Sequence, residues 1–71
     1  MIQEELFTLL DNMQAELNRH TRSITPSSHT ANRMRYEASA KAMNMIRRGE
    51  ITTETELKNE IYSNIEEKMK E

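Results

Sequence analysis

Apolar residues recur every three or four positions along almost the entire chain, and this spacing restricts the fold to packed α-helices. The spacing is that of one helix face, and residues 2–22 show it at Ile2, Leu6, Leu9, Leu10, Met13 and Leu17. It returns in residues 30–48 and in residues 53–69. No segment alternates apolar and polar residues as a strand would. The sequence therefore predicts an all-α protein, with three helices in one domain that spans residues 1–71.

The strongest break in this pattern is a predicted loop at residues 23–29, around Pro26. A proline disfavours the helical conformation of the residue before it. Ser27, Ser28 or Thr30 can then cap a new helix. Because the loop is short, the helices on either side are predicted to pack against each other as an antiparallel hairpin.

Signals of a helix end and a helix start separate the second and third predicted helices. Gly49 follows Arg47 and Arg48, as expected where a helix ends in a left-handed glycine with cations in its last turn. Thr53 and Glu56 are three residues apart, the spacing of a capping box. A third, C-terminal helix is therefore predicted to begin near residue 53.

The chain is short for a free-standing helical domain. A domain of this size buries only about 60% of its unfolded surface, and small proteins compensate with disulfides, metals or oligomerisation. The 71 residues include no cysteine and only two histidines. We therefore expect a homo-oligomeric bundle whose apolar stripes form the core and the partner interface, at Leu6, Leu10, Met13, Leu17, Met34, Ala38, Ala42, Met45, Leu57, Ile61 and Ile65.

Charge is segregated along the chain although the net charge is only −2. Residues 1–16 carry four acids and no lysine or arginine, and residues 49–71 carry seven acids against three lysines. Residues 17–48 carry seven lysine or arginine residues against one glutamate. This layout allows two interpretations. The basic middle either pairs with the acidic ends, within one chain or across a dimer, or it meets an external anion or acidic partner.

The predicted hairpin brings basic and hydroxyl side chains together around its connecting loop. Helix N-termini attract anions, and arginine offers two parallel hydrogen bonds to phosphate oxygens. The candidate phosphate-binding residues are Arg19, Arg22, Ser27, Ser28, Thr30, Arg33, Arg35 and Tyr36. Simpler roles remain open for them, because arginines also complement a helix dipole and serines also cap helices.

Motifs for catalysis and metal binding are not found. His20 and His29 are nine residues apart across the predicted loop, whereas a helical metal pair has a spacing of four. One glycine excludes a glycine-rich phosphate loop. Ser27 and Ser28 lie beside His29 without an orienting third group. We therefore expect no enzymatic activity, no metal and no cofactor.

The expected function is that of a small binding or regulatory protein. The acidic start lacks the basic region of a signal peptide, and no apolar run is long enough for a membrane span, so a cytoplasmic location is expected. The primary hypothesis is capture of a nucleotide or a nucleic-acid backbone. The alternative is a protein–protein inhibitor or small chaperone that acts through its apolar stripes or acidic ends. Accessory proteins of phages and mobile elements share this general character.

Overall fold

A computed structural model describes residues 1–70 and confirms the all-α prediction. Four helices are present in this range: α1 (Gln3–Asn12), α2 (Gln14–Ile24), α3 (Ser28–Arg47) and α4 (Glu54–Met69). Residues 1–70 contain no strand. Across the same residues, no helix combines the length and the apolar character needed to cross a lipid bilayer.

The first predicted helix, residues 2–22, is divided in two at Met13. The backbone of Met13 has φ −78° and ψ −11°, and its N–H is shared between the carbonyls of Leu9 and Leu10, at 3.0 and 3.2 Å. The turn before it contains Asp11 and Asn12, whose side chains compete with the backbone for hydrogen bonds and lower helix propensity. The apolar spacing continues across the division, which explains why the sequence pattern did not reveal it.

The connection between α2 and α3 is shorter than the predicted loop. Thr25 is extended, with φ −140° and ψ 134°, as the following proline requires. The side chain of Ser27 accepts a hydrogen bond from the backbone N–H of Thr30 at 3.2 Å. Ser27 is therefore the N-cap, and α3 begins two residues before the predicted start at residue 30.

Helix α3 runs back along α1 and α2. At the start of α1, the side-chain amide of Gln3 donates to the carbonyl of Ile46 at 3.1 Å. At the start of α2, the amide of Gln14 donates to Ser39 Oγ at 3.2 Å. The early residues of α1 thus lie beside the end of α3, and α2 lies beside its first half.

Helix α4 packs against α3 and also contacts α1 and α2. Lys41 donates to the side-chain oxygen of Asn64 at 3.2 Å, and the hydroxyl of Tyr62 donates to Glu16 at 3.2 Å. At the start of α4, Glu56 N–H donates to Thr53 Oγ1, and the Glu56 carboxylate accepts hydrogen bonds from Thr52 and Thr53. The predicted capping interaction is therefore present. These hydrogen bonds, of which that from the Thr52 hydroxyl has the largest effect, lower the pKa of the Glu56 carboxyl.

One core joins the four helices, and it is built within a single chain. The predicted partner-interface residues lie in it: Met45 packs partly buried against the core, and the other ten are buried, namely Leu6, Leu10, Met13, Leu17, Met34, Ala38, Ala42, Leu57, Ile61 and Ile65. In this fold, these side chains are covered by the helices of their own chain. A surface that contacts a partner must therefore be sought among other residues.

Helix α3 ends just before Gly49, as the sequence predicted. Gly49 has φ +76°, its N–H bonds to the carbonyl of Ile46 at 3.1 Å, and the N–H of Glu50 bonds to that of Met45 at 2.9 Å. This pair of bonds defines a Schellman motif. It turns the chain so that Ile51 is buried against the core.

Replacement of this glycine tests the helix end. Open space surrounds the position of an added Cβ at Gly49, so Gly49→Ala adds only the left-handed backbone strain, about 1–2 kcal/mol. We expect the melting temperature to fall by roughly 4–15 °C in a circular dichroism melt. Gly49→Asn is the matched control, because asparagine tolerates this conformation better. Equal stability of the alanine variant and the wild type would contradict the assignment.

Candidate ligand-binding groove

An open groove of about 550 Å³ separates α1 and the start of α2 from α3. Apolar side chains from both sides line part of it, and polar side chains line the rest. The lining residues are Phe7, Thr8, Leu10, Asp11, Gln14, Arg35, Tyr36, Ser39 and Met43. Two of these, Arg35 and Tyr36, belong to the predicted phosphate-binding set. We call this site the Arg35 groove.

The guanidinium of Arg35 is held in place by neighbouring side chains. Its Nη1 donates to Gln14 Oε1 at 2.6 Å. The amide nitrogen of Gln14 in turn donates to the Leu10 carbonyl at 3.1 Å and to Ser39 Oγ at 3.2 Å. Because Gln14 is tied to both α1 and α3, it fixes the arginine in one orientation.

Arg35 also stacks on an aromatic ring and keeps an unused donor. Its Cζ lies 4.5 Å from the centroid of the Tyr36 ring, the geometry of a cation–π contact. Its Nε is buried and has no hydrogen-bond partner among residues 1–70. A buried donor without a partner costs about 1–3 kcal/mol, and such groups call for a specific explanation.

A second unpartnered polar atom lies nearby along α2. Asn18 Oδ1 is buried without a hydrogen bond within residues 1–70. Asn18 is four residues after Gln14, so the two side chains occupy the same side of the helix. The border between α2 and α3 thus contains both an unused donor and an unused acceptor.

The groove combines three kinds of recognition chemistry. Arg35 can bind an anion, and the exposed ring of Tyr36 can stack on a planar group. Asp11 contributes a carboxylate that can accept hydrogen bonds from hydroxyl or amino groups. The remaining surface, from Phe7 and Met43, is apolar. A ligand that fills the groove would therefore carry both an anionic group and a flat, polar ring.

Arg33 lies on a different side of α3 from Arg35. Arg33 Nε donates to Glu37 at 3.2 Å, and Glu37 also pairs with Lys68 of α4. The hydrogen bonds from Lys68 and then from Arg33 lower the pKa of the Glu37 carboxyl below its ordinary value. Two residues along a helix correspond to a rotation of about 200°. The structure therefore separates these two predicted phosphate ligands.

The other predicted ligands lie near the α2–α3 connection. Ser27 caps α3, Thr30 supplies the N–H that bonds to it, and Ser28 is exposed. Arg19 and Arg22 are exposed on the outer side of α2 and form no ion pair with residues 1–70. The structure does not bring these five residues into the Arg35 groove.

Sequence reasoning overlooked several residues of the groove. Asp11, Gln14 and Ser39 are polar positions next to apolar stripes, and none of them was singled out from the sequence. A polar residue at the border of a stripe is a weak signal of a groove between two helices. Its partner on the opposite helix becomes known only when the packing is known.

No ready-made metal site is found in the described part of the chain, since no three His, Asp or Glu residues are grouped to hold an ion. The His20 ring instead packs edge-on against the Tyr62 ring, with 4.9 Å between the ring centroids. Burial, and next the nearby Glu16 carboxylate, raise the pKa of the Tyr62 hydroxyl.

Comparison of the chain with protein-family models, curated proteins and solved structures finds no match.

Proposed function

We propose that this protein is a small non-enzymatic binding protein that captures a phosphate-bearing ligand in the Arg35 groove. The observation that carries the proposal is the fixed guanidinium of Arg35, whose Nε lacks a partner. Only one of its N–H groups donates to a side chain of the groove, that of Gln14. Nη2 and the second hydrogen of Nη1 make no hydrogen bond with residues 1–70, so an anion in the groove would bind these groups, whereas the buried Nε could be reached only if the side chain moves. Buried, well-oriented arginine is a preferred residue for recognition of phosphate.

A nucleotide, free or within a strand, matches the groove better than inorganic phosphate does. The ring of Tyr36, 63% exposed, offers a surface on which a base can stack. The carboxylate of Asp11 would repel a bare phosphate but would accept hydrogen bonds from a sugar hydroxyl or a base amino group.

The alternative, a protein–protein inhibitor that inserts α4 into a partner, has less support. Its expected anchors, Leu57, Ile61 and Ile65, have no exposed surface. Helix α4 would have to leave the core before it could bind a partner through them. We therefore keep this alternative as the outcome that follows if no phosphate-bearing ligand binds.

Thermal unfolding with a ligand panel tests the proposal. The panel contains inorganic phosphate, mononucleotides, cyclic oligonucleotides, short DNA and short RNA, each at low and near-physiological salt. A ligand at a hundredfold excess over its Kd stabilises the native state by about 2.7 kcal/mol, a shift of about 10–20 °C for a domain of this size. We expect one nucleotide class to raise the melting temperature and salt to weaken the effect.

Two arginines on the same helix provide a matched comparison. Arg35→Gln is expected to weaken binding about tenfold or more, since a hydrogen bond to a charged group contributes about 1.5–3 kcal/mol. Arg33→Gln removes the same charge from the side of α3 that pairs with Glu37 and should leave binding unchanged. Loss of binding in the Arg33 variant alone would contradict the groove assignment. No stabilisation by any ligand would contradict phosphate capture itself.

A further inference from the structure

The outer face of α1 and α2 has an uneven distribution of charge. Its first half carries Glu4 and Glu5, and its second half carries Arg19 and Arg22; all four are exposed. None of them forms an ion pair with another residue of the range 1–70. The acidic start and the basic end of this face therefore remain unneutralised by residues 1–70 of the same chain.

The other acidic end of the chain behaves differently. Glu60 of α4 lies 3.9 Å from Lys41 of α3, and Lys68 of α4 pairs with Glu37. Charges between α3 and α4 are thus matched inside the chain. Of the expected pairs between the basic middle and the acidic ends, residues 1–70 contain Lys41 with Glu60 for α4 and none for α1.

We infer that the outer face of α1 and α2 is an interface on which a second copy of this chain docks antiparallel. In this arrangement, a twofold axis passes near Asn12 and Met13. Glu4 and Glu5 of one copy then face Arg22 and Arg19 of the other copy, and the symmetry repeats both pairings. A parallel arrangement would place like charges opposite each other, which is unfavourable.

The middle of this face permits close approach. Thr8, Asn12 and Ala15 lie between the acidic and the basic half, and all three are exposed. Their side chains are small and uncharged. The exposed carboxylates of Asp11 and Glu16 flank them on either side of the helix, so the attraction comes from the outer charge pairs alone. The interface is one helix wide and, at 1.5 Å per residue, about 27 Å long over residues 4–22, so it is small. Its affinity therefore depends strongly on the four charge pairs and should fall as salt rises.

An intramolecular role could also account for these charges. Acids at the start of a helix and cations at its end complement the helix dipole. That role requires no second copy, and it predicts that charge reversal lowers the stability of the monomer without changing its association. The two explanations therefore differ in a property that sedimentation can measure.

Charge reversal on each half of the face tests the interface. Sedimentation velocity at low salt, between about 10 μM and 1 mM protein, should show wild-type species of twice the 8.4 kDa chain mass. The acid-reversed variant combines Glu4→Lys with Glu5→Lys, and the base-reversed variant combines Arg19→Glu with Arg22→Glu. Each is expected to raise the dimer Kd at least about tenfold, because like charges then face each other.

Mixing the two variants distinguishes the interface from a dipole effect. In the antiparallel arrangement each variant complements the other, so their equimolar mixture should form a heterodimer although neither associates alone. Lys58→Glu, which reverses one charge on the exposed side of α4, is the control and should leave the dimer intact. Circular dichroism confirms that each variant is folded.

Three results would overturn the inference. The first is a wild-type chain that stays monomeric over this concentration range at low salt. The second is a dimer that neither reversal weakens. The third is a mixture of the two reversed variants that remains monomeric. Salt-dependent association of the wild type, which uses no substituted protein, provides an additional test if a reversed variant does not fold. None of these results depends on ligand binding in the Arg35 groove.

Discussion

Truncation of the chain after Gly49 is expected to abolish cooperative unfolding. Helix α4 contributes Leu57, Ile61 and Ile65 to the core, all without exposed surface. Burial of one such side chain stabilises a fold by about 1.5–3 kcal/mol. Loss of all three removes an amount comparable to the total stability of a small domain, about 5–15 kcal/mol. The truncated protein should show low helicity and a melting curve without a sigmoidal transition.

A full-length variant with a changed α4 surface is the control. Lys58→Ala, Asn59→Ala and Ser63→Ala replace exposed residues and leave the buried stripe intact. This variant should melt cooperatively, within a few degrees of the wild type. A cooperative transition in the truncated chain would show instead that α1, α2 and α3 fold without α4.

Helical periodicity predicted the buried side of α4 well. Leu57, Ile61 and Ile65 recur every four residues and are all buried, whereas Met69, the next member of the series, is 50% exposed. Met69 is the last residue of the helix, so the apolar spacing continues beyond the packed part of the helix. The period identifies the side of a helix that faces the core, and the extent of the neighbouring helices decides how far along it burial continues.

Placement of the candidate ligands was harder to predict. Arg33, Arg35 and Ser28 were grouped because all are close to one loop in the sequence. On a helix, however, nearby residues project in different directions. Arg35 meets Gln14 of α2, while Arg33 points to the side that carries Glu37. Periodicity alone could have separated the two arginines, but only the packing identifies the helix that each one faces.

The two proposed surfaces share Thr8 at their border and otherwise use different residues. The Arg35 groove opens between α1, α2 and α3, while the proposed dimer face is the exposed outer side of α1 and α2. Binding of a ligand to a dimer would then be possible at two symmetry-related grooves. A ligand titration of the wild type at a protein concentration well below the dimer Kd, where the chain is monomeric, would show whether each chain binds alone.

The largest effect of a single substitution is expected at Leu17, which has no exposed surface. Leu→Ala at buried positions lowers the free energy of unfolding by about 2–5 kcal/mol. For a domain of this size the melting temperature should then fall by more than about 10 °C, if the variant folds at all. Chemical denaturation monitored by circular dichroism measures the loss.

Leu9→Ala provides a matched control for Leu17→Ala. Both leucines belong to the apolar spacing of residues 2–22, but Leu9 is only partly buried, so its replacement should cost about 1 kcal/mol. Equal losses at the two positions would contradict the packing of α1 and α2.

Protein concentration adds a further distinction to the Leu17 experiment. Replacement of a residue buried in the core of one chain by alanine destabilises the monomer, so the resulting change in melting temperature is independent of protein concentration. A residue buried between subunits makes the melting temperature rise with concentration by mass action. Because Leu17 lies in the core of one chain, we expect the same loss at every concentration, even where the outer face of α1 and α2 holds two copies together.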